Sequence, residues 1–385
     1  MWPRVWTVAC TLDHVREPGD FFEYRFGRYS VIIVRGDDNQ LRAFQNVCLH
    51  RGNQLCQGSG SGIHEIRCPY HRWAWNLDGM LREVPSRKGF GELDNDELGL
   101  IRAQVDSWGP LVFVNLDVHA KPLQEYLEGV VADTAWARLD EFQCSYTTTS
   151  AVDSNWKVVA DGFSETYHVQ GIHPEMLASI DDVNIEQRVW DHHSVSHQRY
   201  GLASPRVRDR SDQAVWDSFI ITQGERMGPA YSAMSPAPTP DPGETIRDVI
   251  ARLIRDHQAT RGVDMVDFNT DGVLRLSQYN LFPNTTVLVW GDMVNVLISR
   301  PGADPDHAEL VMFLLYRRPR DAANARPMDI ALPADASMGT VIDQDLAMLK
   351  RFQKGLHQPG FTHLTLSGEE IRIINMHRVL SAYID

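Results

Sequence analysis

The chain has 385 residues, 43% of them hydrophobic and 23% charged, and a formal net charge of −14, so it is long enough for more than one folded domain. The negative charge argues against nucleic acid or an anionic membrane surface as a partner, because a polyanion would be repelled. No apolar run approaches the roughly twenty residues that cross a bilayer, the start lacks the order of a signal peptide, and five cysteines give no disulfide framework. A cytoplasmic location is therefore expected.

In chain order, short β-like runs come first: Phe21 to Phe26, Ser30 to Val34, Leu41 to Phe44, Ile63 to Arg67 and Trp73 to Trp75, with a tight turn at Asn76-Leu-Asp-Gly79. Trp108 to Leu116 reads as the last strand of this small all-β domain, and Leu123 to Val131 as a helix leaving it. The boundary is placed between 118 and 119, giving domains 1–118 and 119–385. Ser235 to Pro242 is proline-rich and reads as an extended surface loop of the second domain.

The first domain holds Cys48-Leu-His50 and, seventeen residues later, Cys68-Pro-Tyr-His71. A zinc finger groups its cysteines and its histidines separately, whereas here each short turn offers one sulfur and one nitrogen. This order resembles a Rieske [2Fe–2S] centre, in which one iron keeps two cysteines and the other takes two histidines; structural zinc is the alternative. Gly52, Gly58, Gly60 and Gly62 supply turns near the ligands. Arg72 stands where the family pattern has Gly, before the retained Trp73. Cys10, Cys56 and Cys144 read as small apolar residues.

The second domain carries Asn155-Trp-Lys157 and then Asp161-Gly-Phe-Ser-Glu165-Thr-Tyr-His168, followed by His173-Pro174. On a helix, Glu165 and His168 share a face. His173 lies about 140° round from His168 on a continuing helix, so a helix ending near Gly171 is needed to bring the two imidazoles together. One carboxylate would then complete a facial triad with open positions, as used by non-haem Fe(II). Asp345 is the preferred carboxylate, on an amphipathic helix from Val341 to Leu356 whose apolar stripe is Ile342, Leu346, Leu349 and Phe352; Asp343 is its rival.

Together the two motifs resemble the catalytic α subunit of the Rieske non-haem iron oxygenases, the aromatic-ring-hydroxylating type, over almost the whole chain. The resemblance implies an α+β fold, with a small all-β Rieske domain and a larger catalytic domain whose antiparallel β-sheet is flanked by helices. It implies that Cys48, His50, Cys68 and His71 hold the cluster and that His168, His173 and Asp345 hold the Fe(II). Glu165 becomes the acidic bridge between His168 and the neighbouring subunit's His71, in a head-to-tail homotrimer with or without a β subunit. Electrons are expected from NAD(P)H through a partner reductase, with or without a ferredoxin, and His64, Arg67 and Arg72 are the expected landing patch. Because the chain opens partway into the family's usual first helix, an N-terminal piece is expected to be missing or shortened.

The residues say less about the substrate. Gly162 replaces the family's Asn before Phe163 and is expected to widen the pocket. Gln278 to Asn284 reads as a turn and Thr285 to Trp290 as a strand of the sheet. Phe163, Phe282 and Trp290 favour a small apolar aromatic or cyclic substrate, hydroxylated once or twice with O2 in aromatic catabolism. The alternative is hydroxylation or demethylation of a quaternary ammonium compound caged by Trp290. A Rieske electron carrier without catalysis of its own is the alternative class.

Overall fold

The computed structural model describes residues 1–231, 235–319, 325–333 and 336–384. They form two compact units, Met1–Tyr126 with Ala325–Pro327, and the chain from Leu127 onward. The helix expected over Leu123 to Val131 is broken. Two short helices stand there, Leu123–Tyr126 and Val130–Asp133, and Glu128 between them takes φ 52°, a left-handed value at which an α-helix cannot continue.

Among the described residues, the first unit is built on a seven-stranded sheet in the spatial order Thr7–Thr11, Leu111–Asn115, Arg102–Trp108, Leu41–Gln45, Tyr29–Arg35, Phe21–Phe26 and Ser59–Gly60. Side-chain alternation divides the strand Tyr29–Arg35 between two cores. Val31 and Ile33 pack with Tyr24 and Val112 on one side, whereas Ile32 and Val34 pack with Phe44, Trp73 and Trp75 on the other. Cys48 and Cys68 belong to the second core, so the loops that carry them rest on a packed floor.

Three of the expected strands differ in the structure. The run from Trp108 to Leu116 is a hairpin: Trp108 ends one strand, Gly109 turns the chain at φ 54°, and Leu111 pairs back with Trp108. The runs at Ile63 and Trp73 shrink to Ile66–Arg67 and Ala74–Trp75, which form a separate three-stranded sheet with Leu81–Glu83. The turn at Asn76 is present, with Gly79 at φ 89° donating its N–H to the Asn76 carbonyl at 2.9 Å.

Arg72 sits at φ 67°, which explains why glycine is the family's usual choice there. Its N–H donates to the Cys68 carbonyl at 3.1 Å, while the Cys68 N–H donates to the Trp73 carbonyl at 2.8 Å, so the strained residue closes a ligand loop. A left-handed Cβ costs about 1–2 kcal/mol, part of which glycine returns through its freer unfolded chain. Arg72→Gly is therefore expected to stabilise this unit by about 0.5–1 kcal/mol, read as a higher temperature for thermal bleaching of the cluster. An unchanged or lower midpoint would refute the strain. Of the expected landing patch, Arg67 is committed elsewhere: its guanidinium bonds Glu65, Glu83 and the Arg72 carbonyl.

Among the described residues, the second unit is built on an eight-stranded sheet, in the order Glu186–Val189, Ser194–Arg199, Arg275–Leu281, Thr285–Val289, Met293–Pro301, Ala308–Arg317, Phe142–Val152 and Met328–Ala331. Its pairings are antiparallel except the last, where Met328–Ala331 runs parallel to Phe142–Val152. Gln278 lies inside a strand rather than in a turn, and the turn narrows to Phe282–Asn284. Trp216, Phe219, Ile250, Ile254 and Leu274 belong to an apolar core of this unit. Ser235 to Pro242 is irregular, as expected.

Candidate functional site: two metal centres and a cavity

In the first unit the four expected ligands converge. The rings of His50 and His71 stand 4.5 Å apart between centroids, Cys48 and Cys68 are buried and unbridged, and the two thiols face each other. Burial pushes the Cys68 thiol up, but the N–H groups of Tyr70 and His71 and the Asn53 amide, 3.8 Å from the sulfur, outweigh it and hold the thiol below its usual range. Such donors favour a thiolate.

Trp73 stacks on His50 at 5.2 Å and 7°, with Phe90 edge-on at 5.6 Å. His50 Nδ1 is buried without a hydrogen-bond partner, a costly state for a polar atom that a metal bond relieves. Two sulfurs, two imidazoles and an orphaned nitrogen fit an iron–sulfur cluster with mixed ligands. Gly58 does not serve the cluster as its turn suggested: its N–H donates to Glu23 Oε2 at 2.8 Å. Gly60 lies in a strand against Phe21.

In the second unit the helix Trp156–Gly162 begins at Asn155, whose side chain accepts from the Lys157 N–H at 3.0 Å. It stops at Phe163, so Glu165 and His168 do not share a helix, contrary to expectation. A turn brings them together instead. Glu165 Oε2 accepts from the His168 N–H at 3.0 Å, and Oε1 lies 2.5 Å from His168 Nδ1. His168 then caps the short helix Val169–Ile172, which ends at His173, just past the Gly171 exit that was expected. Pro174 starts a 3₁₀ turn that sends the chain away.

Asp345 lies on the helix Thr340–Leu356, 8% exposed. Its Oδ1 stands 3.0 Å from His173 Nε2 and 3.7 Å from His168 Nε2. One ligating atom from each of the three residues lies within 4.8 Å of the others, the separation that a single ion requires. The outer nitrogens are already engaged: His168 Nδ1 by Glu165, and His173 Nδ1 by Gln344 Oε1 at 2.6 Å. With the Nδ1 protons held there, both Nε2 lone pairs point at the same place. Burial works against protonation of His173, yet Asp345 and Gln344 raise its pKa above the ordinary value. The donor set fits Fe(II).

The helix phase differs from the expected stripe. Asp345, Leu349 and Gln353 are the buried positions, Ile342 and Leu346 are half-buried, and Phe352 is 61% exposed. Gln353 locks this helix to the start of the other ligand segment, its Oε1 accepting from the Asn155 N–H at 2.9 Å and its Nε2 donating to Asp306 at 2.5 Å. Asp343 has a different task, accepting from the Met338 N–H and the Ser337 hydroxyl at the helix start. Gly162 does not simply widen the pocket: a Cβ there would meet Leu349 Cδ2 at 3.0 Å, so the missing side chain lets the two helices close.

Behind the ligand turn, the helix Ile371–Ile384 adds a second brace. His377 Nε2 faces the Asp161 carboxylate at 2.9 and 3.1 Å, and that hydrogen bond raises the pKa of His377 against the effect of burial and of Lys157. Asp161 is itself pushed up by burial, with Glu165 adding to the rise and His377 and Lys157 opposing it. A histidine raised on folding stabilises fully below its unfolded pKa of about 6.5, and that contribution is lost as pH climbs through the folded value. Unfolding free energy is therefore expected to be lower at a pH well above about 6.5 than at a pH below it, and His377→Gln to narrow that difference. Denaturant titrations at both pH values test this; an equal difference in the two proteins would count against it.

A cavity of about 860 Å³ is lined by His168, His173 and Asp345. Gly162, Phe163 and Trp290 line it as expected, but Phe282 does not; its ring stacks on Tyr383 at 5.5 Å, one of the contacts that hold the C-terminal helix. Sequence reasoning missed the polar wall, which includes Gln198, Gln278, Arg226 and Asp292. Gln278 and Asn280 both donate to the Phe163 carbonyl and so fix the chain just before Glu165. Gln344 was also missed.

Comparison with known proteins gives the following. Residues 134–385 match the family described as the ring hydroxylating alpha subunit (catalytic domain), and residues 5–101 match the Rieske [2Fe-2S] domain. The carnitine monooxygenase oxygenase subunit of Escherichia coli (strain K12) is 30% identical over 207 residues, 53% of this chain and 54% of that one. Choline monooxygenase from Spinacia oleracea is 31% identical over 243 residues, 60% of this chain and 54% of that one. The chain thus spans about half the length of the curated relatives it matches. Among solved structures, a quaternary ammonium Rieske monooxygenase in complex with L-carnitine superimposes with a TM-score of 0.68 at 18% identity, covering 100% of this chain and 90% of that one. Naphthalene 1,2-dioxygenase with indole bound gives 0.67 at 18%, covering 100% and 87%. At that identity the likeness is one of fold.

Proposed function

Since the chain belongs to the ring-hydroxylating alpha-subunit family, with a Rieske [2Fe–2S] domain ahead of a catalytic domain that binds mononuclear iron, we propose that it is the oxygenase subunit of a system that hydroxylates a quaternary ammonium compound. The observation that carries this reading is the convergence of His168, His173 and Asp345 on one point of a cavity that also offers aromatic faces and a carboxylate. Tyr200 and Tyr316 present rings, and Glu225 presents an acid. Such walls suit an alkylated cation, which is attracted by ring faces and by negative charge. Relatives named for carnitine, glycine betaine and choline support the same class over the aromatic hydrocarbon first expected.

In this reading Cys48, His50, Cys68 and His71 hold the cluster, and His168, His173 and Asp345 hold the iron. The cluster supplies single electrons and the iron supplies open positions for dioxygen. Glu165 holds the proton on His168 Nδ1 and serves as the bridge toward a neighbouring copy, while Gln344 holds the proton on His173 Nδ1. Phe163 and Trp290 exclude water from the cavity beside the substrate. One oxygen atom enters the substrate, and two electrons passed from NAD(P)H through a reductase, with two protons taken up from solvent, convert the other to water.

The test is turnover with a surrogate reductase under isotopically labelled dioxygen, offering alkylammonium and aromatic compounds side by side. Labelled product from the ammonium compounds supports the proposal. Labelled product from the aromatic compounds alone would overturn it in favour of ring hydroxylation.

A further inference from the structure

Two residues of the cavity wall keep donors that nothing nearby accepts. Arg226 lies in the 3₁₀ turn Gly224–Met227 with its side chain 4% exposed. Its Nε and Nη2 donate to the two oxygens of Asp292 at 3.1 and 2.6 Å, and Nη2 also donates to the Val273 carbonyl at 2.8 Å. Its Nη1 is buried without a hydrogen-bond partner. Trp290, 3% exposed, follows the strand Thr285–Val289, and its indole Nε1 is buried and unpartnered as well.

The two side chains are neighbours. The guanidinium carbon of Arg226 stands 5.6 Å from the Trp290 ring centroid, and Tyr200 meets the same ring edge-on at 6.2 Å. Both residues line the cavity that holds the iron ligands. A buried donor left unmade is destabilising, more so when it is charged, and two side by side in a cavity wall mark a place for an acceptor. Asp292 braces the far side of the guanidinium and leaves one arm of the fork free.

We propose that Arg226 Nη1 and Trp290 Nε1 form a subsite for the carboxylate of a zwitterionic quaternary ammonium substrate, an inference that rests on the ammonium reading of this cavity. A carboxylate offers two oxygens to two donors, and one of those bonds is charge-assisted. A hydroxyl would satisfy the pair less completely. Because Asp292 already balances Arg226, a substrate of no net charge enters with the least electrostatic penalty, its cation toward the rings and the acid and its anion on this pair.

The experiment is equilibrium binding to the fully loaded protein with glycine betaine, its methyl ester and benzoate as probes. The variants are Trp290→Phe, which removes one N–H but keeps a ring, and Arg226→Lys, which keeps a cation for Asp292 but loses the fork. Wild type is expected to bind the acid at least about tenfold more tightly than the ester, the ratio that a hydrogen bond to a charged group supplies. Each variant is expected to reduce that ratio, because the acid loses more affinity than the ester does. Equal binding of acid and ester by wild type, or equal weakening of both in Trp290→Phe, would overturn the subsite. Should neither ammonium probe bind, the ammonium reading fails, and benzoate then decides the subsite alone: binding weakened by both substitutions sustains it, and indifference to both removes it. Should Arg226→Lys not fold, Trp290→Phe gives the answer.

Discussion

Asp345→Ala is expected to release the mononuclear iron while leaving the cluster in place, so that metal analysis falls from about three irons per chain to about two and the cluster's visible spectrum stays unchanged. Turnover should fall by more than about a hundredfold, since losing only an outer partner of a metal ligand already costs about 10–100-fold. The effect follows from the position of Oδ1, 3.0 Å from one imidazole nitrogen and 3.7 Å from the other. No second carboxylate shares the three-ligand cluster among the described residues. Asp345→Asn, which keeps the volume, separates lost ligation from lost packing. Asp343→Ala is the control: it removes bonds to Met338 and Ser337 at the helix start, so it should cost about 1 kcal/mol of stability, as a lost cap does, and retain the iron. Iron lost from Asp343→Ala and kept in Asp345→Ala would reverse the assignment.

The contrast between these two aspartates shows what a sequence reveals. The Cys48–His50 and Cys68–His71 pairs were legible because each sits in one tight turn, where spacing alone dictates which atoms meet. His168 and His173 were legible for the same reason, although the geometry that joins His168 to Glu165 is a turn and not the helix face that was expected. Asp345 required a helix phase, and the stripe drawn for it was partly wrong. Phe352 belongs by composition to the apolar set, yet it is exposed, whereas Gln353 is buried because its amide has partners on a segment about two hundred positions away. Periodicity reports hydrophobicity and cannot see a polar side chain that folding will satisfy.

The same limit hid Arg226, whose partner Asp292 is 66 positions distant. It also misplaced Phe282, an aromatic residue on the right stretch of chain that turns toward Tyr383 instead of the cavity. Gly162 carries the complementary lesson. Its lack of a side chain was readable, but the atom it makes room for, Leu349 Cδ2, comes from a helix close to the other end of the chain. Local chemistry brought the candidate metal donors together, and long-range packing decided what surrounds them.

Glu165 is where that surrounding shell bears most directly on turnover. Both of its oxygens are used by His168, Oε2 on the backbone N–H and Oε1 on Nδ1, so the side chain sets both the turn and the imidazole tautomer. Glu165→Gln still offers an oxygen to Nδ1–H but lacks the negative charge. It should keep its iron while electron delivery slows by about 10–100-fold, the usual cost of altering a ligand's outer partner. Glu165→Leu removes the acceptor altogether, which frees the His168 proton to move to Nε2, the nitrogen that faces the metal. That variant should lose iron affinity by about the same factor in addition. Rapid mixing of the fully reduced protein with oxygen and substrate measures the first effect as the rate at which the cluster reoxidises, and equilibrium dialysis against iron measures the second. Equal iron affinity in the Gln and Leu variants would show that the carboxylate does not orient His168. An unchanged reoxidation rate in Glu165→Gln would show that its charge takes no part in passing the electron.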